Sequence, residues 1–325
     1  MAVAGRLVSD RIAGKYMVIA ANETKFYGLK IEPFVPGVAL KTSRIAPRIV
    51  CDEHRRDPYK NTQDTFTALR ADPKARELKA LVIGPYAESY AETSARVVAE
   101  LTSPASLAAM PVLEAIFLGE MTFEEQEISW ISVGDLGPLL DGRPALKHLR
   151  VRGTTEFELR TRGHTSLDTL IIESGGLPRT IINALSVHGV LPNLSTLSLW
   201  LGSEDYGADH SVDDLMPILS GRIYSKLTTL GLCNSEYTDE IAQAIADAPI
   251  LSQLETLDLS YGTLGDAGAL ALINSPRVKQ LKNITCIHHY ISEPVQAQLR
   301  ALGPNVTLGN PQVEDGDERY IYCAE

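Results

Sequence analysis

His288 and His289 sit side by side near the end of the chain, with Cys286 just before them and Asp258 upstream, all donor types that bind transition metals. Consecutive residues of an extended strand face opposite ways, so the two imidazoles cannot share one ion there. The sequence has no HExxH and no CxxC. The expectation is therefore no metal and no cofactor, with one histidine on an open face and the other bonded to the following turn. Gly262, Gly265 and Gly268 follow a strand and enter a helix, but GxxGxxG is neither phosphate-loop spacing. ESGGL at Glu173–Leu177 lacks the first glycine of a nucleophile elbow, so Ser174 is not read as a nucleophile. Glu173 and Asp258 would lie roughly 14 Å apart by strand spacing, beyond the about 5–9.5 Å of paired catalytic carboxylates. No catalytic residue is assigned.

The elements that hold these residues follow from one recurring pattern. LETLDLS at Leu254 has the form LxxLxL, and the same form opens at Leu78, Leu113, Leu146, Leu167, Leu194 and Leu227, and with substitutions at Leu281. Spacings of 35, 33, 21, 27, 33, 27 and 27 residues match a leucine-rich repeat array with insertions, whose usual period is about 20–29 residues. The expected fold is α/β: a leucine-rich repeat solenoid, a right-handed horseshoe, with a parallel concave β-sheet and convex helices. Helices are expected over 178–188, 213–219, 238–246, 266–273 and 292–302, each entered by a polar cap or an early proline. The 146–167 interval is too polar and β-branched for a helix and reads as an extended excursion.

Three segments follow: an N-terminal extension and cap over 1–60, an array of about eight to nine repeats over 61–310, and an acidic tail over 311–325. Short strands are expected at 16–20 and 29–34, with Pro47–Cys51 as a degenerate first strand, because a solenoid must cover its terminal hydrophobic face. The tail opens with EDGDE and is expected to be mobile at least in part.

Strand alternation turns the first, fourth and sixth residues inward and the third, fifth and seventh onto the concave face. The seventh position then forms the row Arg152, Glu173, Trp200, Cys233, Ser260, Ile287; the eighth gives Gly153, Ser174, Leu201, Asn234, Tyr261, His288. Glu173, Trp200, Asn234, Asp258, Tyr261 and His288 are the candidate ligand-binding residues, aromatic area with polar handles being typical of interface anchors. Alternatively, Trp200 folds down against the 202–207 loop.

The net charge of −11, from 30 basic and 41 acidic residues, argues against a nucleic-acid partner and is compatible with a basic protein or peptide. No run approaches a membrane span, and the early apolar segment at 16–21 is shorter than a secretory core of about 7 residues or more. Four cysteines, Cys51, Cys233, Cys286 and Cys323, show no pairing rhythm. A cytoplasmic protein is expected.

EISWI at Glu127, ESGGL, LWLG with a following YG at Leu199–Gly207, NSEYTDEIA at Asn234, API at Ala248, LDLSYGTLGDAGA at Leu257 and HHYIS at His288 occur in order. With these motifs the chain resembles an uncharacterised family of bacterial cytoplasmic leucine-rich repeat proteins over residues 24–325. The resemblance implies a ribonuclease-inhibitor-like horseshoe. The expected function is an intracellular protein- or peptide-binding scaffold or adaptor using the concave face. The alternatives are an accessory subunit or enzyme with a site near Asp258 and His288, or a self-assembling structural protein.

Overall fold

A computed structural model describes residues 10–13, 16–50, 58–86, 92–303, 305–316 and 318–325; Cys51 lies outside them. The LxxLxL segments form the middle of a 12-stranded sheet. Its strands are β3 (Lys25–Phe26), β4 (Leu29–Pro33), β5 (Ile45–Ile49), β6 (Ala80–Ile83), β7 (Ala115–Leu118), β8 (His148–Arg152), β9 (Thr169–Glu173), β10 (Thr196–Gly202), β11 (Thr229–Ser235), β12 (Thr256–Asp258), β13 (Asn283–His289) and β14 (Asn305–Pro311). They stack in sequence order, all parallel except the antiparallel β3–β4 pair at one edge. A separate antiparallel hairpin pairs β1 (Asp10–Ala13) with β2 (Tyr16–Ile19).

The first, fourth and sixth residues of every LxxLxL segment are buried in one continuous core, from Leu78, Leu81 and Ile83 to Leu281, Ile284 and Cys286. The opposing layer is helical: α5 (Arg179–Leu185), α6 (Val212–Leu219), α7 (Thr238–Ala246), α8 (Asp266–Asn274) and α9 (Glu293–Arg300) follow β9, β10, β11, β12 and β13 in turn. Upstream, α1 (Pro58–Ala71), α2 (Ala95–Thr102), α3 (Pro104–Ala109) and α4 (Gly137–Gly142) fill the same layer. Each side chain that points into this layer is leucine-like because helix and strand exclude water between them.

The backbone repeats as strictly as the side chains do. The carbonyls of Lys79, Glu114, Lys147, Asp168, Ser195, Thr228 and Glu255 each accept two consecutive amides from the next strand's entrance. The arrangement is solenoid-like, each unit contacting its neighbours. The 146–167 excursion is extended, bridging Ser132 to Thr155 and Asp135 to Glu158.

The strands expected at 16–20, 29–34 and 47–51 are present as β2, β4 and β5, and β3, which was not expected, extends the sheet back to residue 25. The other end does not finish in a free tail: Ile321, Tyr322, Cys323 and Ala324 are buried. Their alternation of aliphatic, aromatic and small side chains gives them apolar area that water disfavours.

Candidate functional site

The helix-free sheet face carries the candidate residues, and the pairing aligns them as the repeat spacing implies. Arg152 faces Glu173 and Trp200 faces Cys233; Asp258 lies between Gly231 and Thr285. None of the six is exposed: Glu173 is 1% accessible, Trp200 1%, Asn234 0%, Asp258 0%, Tyr261 3% and His288 3%. The expectation of an open row of anchors is thus corrected. Alternation sets which face a side chain occupies, whereas distant segments decide whether that face meets solvent.

Two segments cover it. From the N-terminal side, Ile19 joins Trp200, Cys233, Tyr261, Tyr322 and Cys323 in a second apolar cluster, and its carbonyl accepts the amide of Phe123 at 2.7 Å. Phe26 packs on Phe117 and edge-on to His148 over the earlier strands. From the other end, residues 320–325 cross the strand ends from β13 back toward β8. Trp200 therefore does not face outward but packs among buried neighbours. Its ring lies 5.2 Å from that of Tyr261, which stacks at 4.9 Å with Tyr322.

The crossing segment is gripped along the eighth-position row. His288 Nε2 donates to the carbonyl of Tyr320 at 2.9 Å. The carbonyl of Tyr261 accepts the amide of Tyr322 at 2.8 Å. Asn234 makes a two-point contact: its Nδ2 donates to the Cys323 carbonyl at 2.5 Å and its Oδ1 accepts the Cys323 amide at 3.0 Å. Ala324 then passes over ESGGL, where a Cβ on Gly175 would lie 2.4 Å from the Ala324 carbonyl oxygen. Glu325 ends beside Tyr206, whose hydroxyl donates to Oε1 at 2.6 Å.

The grip rests on an unusual backbone. Asn234, Tyr261 and His288 have φ of 52°, 70° and 58°, and Asn310, opposite His288 in the adjacent strand, has 52°. Non-glycine residues in this left-handed region cost of order 1 kcal/mol or more each and persist where surrounding contacts hold them. The kinks lie at or just past the strand ends, where Tyr261 bonds the crossing segment through its carbonyl and Asn234 and His288 through their side chains.

Beside the grip lies a buried ionic cluster. Glu173 Oε1 accepts Arg150 Nε and Oε2 accepts Arg152 Nε, both at 2.8 Å. Arg150 also reaches Glu23 at 2.9 Å and sits 4.3 Å from the Phe117 ring centroid, while Arg152 Nη1 donates to the Met121 carbonyl at 2.7 Å. Burial alone would raise the Glu173 pKa, but the two guanidinium groups outweigh it and hold the carboxyl below its ordinary value. Burial likewise opposes charge on Arg150, and Glu173 and Glu23 more than restore it. Arg48 adds a second pairing, with Glu120 and Glu125. Glu173 is thus neutralised within the molecule and does not present free charge to a ligand.

The two histidines take different partners, although His288 is left-handed and not extended as the alternation argument assumed. His289 Nδ1 accepts the amide of Ile291 at 3.2 Å, the turn bond expected of one of them, whereas His288 holds the crossing segment instead of an open surface. Burial pulls His289 down to about 4, helped by His288 and Arg300, so it is neutral at physiological pH. Among the described residues no group of three or more His, Cys, Asp or Glu is placed to hold a metal. The glycine segment is a packing device: the amides of Gly265 and Gly268 donate to Asp239 at 2.8 and 2.9 Å, which fills the helix entrance with the chain's own carboxylate. Ser174 is buried and shares a 2.9 Å hydrogen bond with Thr154.

The sequence reading missed Ile19, Glu23 and the whole of Tyr320–Glu325. The last carried a signal in YIYC, an apolar run that follows the acidic EDGDE and Arg319, which is the composition of a docked strand and not of a solvated tail.

Solved structures share this architecture, among them a Bacteroides fragilis protein determined by crystallography as a structural-genomics target. It superposes with a TM-score of 0.69 at 31% sequence identity, over 82% of this chain and 75% of that one. The chain belongs to the same family as that bacterial protein. No family model and no curated protein matches the sequence.

Proposed function

We propose that the protein is a leucine-rich repeat horseshoe that serves in the cytoplasm as a scaffold for a protein or peptide, held against the helix-free face of its sheet. The observation that carries this reading is the crossing segment: the molecule already binds six residues of extended chain across its strand ends with main-chain and amide contacts. The third-position row supports it: Thr169, Thr196, Thr229 and Asn283 are partly exposed and uncharged, in register through the buried Thr256 that lies between the last two. Such a row is pre-positioned, so little ordering cost falls on the protein when a partner docks. The array over 61–310 supplies the face, which Ile19, Phe26 and residues 320–325 cover. No described helix is long and apolar enough to cross a membrane, and the described cysteines are free and buried; both are compatible with a cytoplasmic site of action. The net charge of −11 favours a basic partner.

The test is affinity capture with tagged protein carrying Thr196→Arg and Thr229→Arg, beside Gln243→Ala on the exposed side of α7 as control. Under this reading the captured polypeptide is lost with the arginine pair and kept with the control. Loss with the control alone would refute it.

A further inference from the structure

The eighth-position row does more than cap the sheet. Strained backbone recurs at one repeat position in Asn234, Tyr261 and His288, and all three bond the same crossing segment. A cap needs only apolar cover, whereas this row reads main-chain amides and carbonyls, the contacts by which one extended peptide can be exchanged for another. Gly175 leaves room there for the segment's backbone and nothing larger. The segment is joined to β14 only by the mostly exposed run that follows Pro311, anchored through Arg319 to Asp239 and Glu314.

We propose that this row is a peptide-recognition groove, that residues 320–325 are its resident occupant, and that a partner binds by displacing them. The proposal rests on the scaffold reading and specifies its partner. The resident segment states the chemistry: an extended stretch with an aliphatic residue, an aromatic one to pack tilted against Tyr261 and edge-on to His288, two small residues to pass Asn234 and Gly175, then an acid for the Tyr206 hydroxyl. Displacement opens the helix-free face at Trp200 and Tyr261, which the segment otherwise helps to bury. A tethered segment competes at an effective concentration in the millimolar range, so the closed form dominates until a matching peptide is abundant or better fitted.

The experiment uses a fluorescein-labelled peptide of residues 318–325, ERYIYCAE, with its cysteine replaced by serine, and a chain lacking those residues. Fluorescence anisotropy should show saturable one-to-one uptake by the shortened chain, at least tenfold weaker binding to the full chain, and none of a scrambled peptide. Asn234→Gly in the shortened chain keeps the left-handed backbone but removes the two-point contact. It should weaken uptake about tenfold or more. A folded shortened chain that ignores the peptide would overturn the proposal, as would exchange seen only between copies, as a dimer without peptide uptake. Should the shortened chain not fold, the full chain is read through Cys323, whose thiol is buried and pushed up to about 12 by that burial. Maleimide labelling, followed on the tryptic peptide 320–325, should accelerate several-fold with millimolar ERYIYSAE and not with its scramble; an unchanged rate would overturn displacement. Capture on the threonine row with no peptide uptake would leave the scaffold reading standing and remove this one alone.

Discussion

Replacing Trp200 by alanine separates the two pictures of the sheet face. An exposed anchor would tolerate truncation with folding nearly intact. In the structure the indole is 1% accessible, packed on Tyr261 and enclosed by Ile19 and Tyr322. Truncating a buried tryptophan costs about 3–5 kcal/mol, the lost transfer energy plus the cavity left behind. A chain of this length unfolds with an entropy of roughly 0.7 kcal/mol per kelvin, so the midpoint should fall by about 4–7 °C if the array melts as one unit. Loss should also loosen residues 320–325, because Tyr322 stacks on the Tyr261 ring that Trp200 supports, and Cys323 should then react faster with maleimide. The assay is urea and thermal unfolding by far-ultraviolet circular dichroism, with Val187→Ala, at a side chain 57% exposed, as the control expected to change stability by less than about 0.5 kcal/mol. A Trp200→Ala protein that loses under about 1 kcal/mol and keeps Cys323 protected would refute the packing argument.

Leu230→Ala and Leu257→Ala should each cost about 2–5 kcal/mol in denaturant unfolding, while Thr229→Ala is nearly silent; Thr256 differs from Thr229, being buried and accepting Asn283 Nδ2 at 3.2 Å, so Thr256→Ala should cost about 1 kcal/mol. Glu173→Leu should destabilise by about 3–5 kcal/mol because it strands two buried guanidinium groups, and the loss should persist in 1 M salt, where an exposed pair would be screened. Burial lowers His148 and His289 to about 4, the former aided by Arg150, and lowers His210 as well. The unfolded chain takes up these protons first, so their contribution is complete above about pH 6.5 and is lost as pH falls toward 4. Urea midpoints measured between about pH 7 and 5.5, above the ordinary carboxylate range, should fall steadily, and His289→Gln should flatten the curve; a midpoint rising with acid would contradict the assignment.

The LxxLxL spacing by itself determined the strands, their parallel order, the inward register and the identity of the helices that follow them, because each unit buries its leucines against its nearest neighbours and the information is local. It pointed to separate partners for His288 and His289, but its extended-strand argument does not hold at His288, whose left-handed backbone only the tertiary structure shows. It could not show that Glu173 is neutralised by Arg150 and Arg152, although the repeat rows brought them adjacent, because whether adjacent charges pair in a dry environment depends on Glu23, Met121 and Phe117 arriving from elsewhere. Nor could it show that Asn234, Tyr261 and His288 face a segment up to 89 positions away instead of solvent. That contact is set by the three-dimensional path of the chain after β14, and only the tertiary structure decides which of two apolar surfaces, the sheet face or the YIYC run, is the one that removes the other from water.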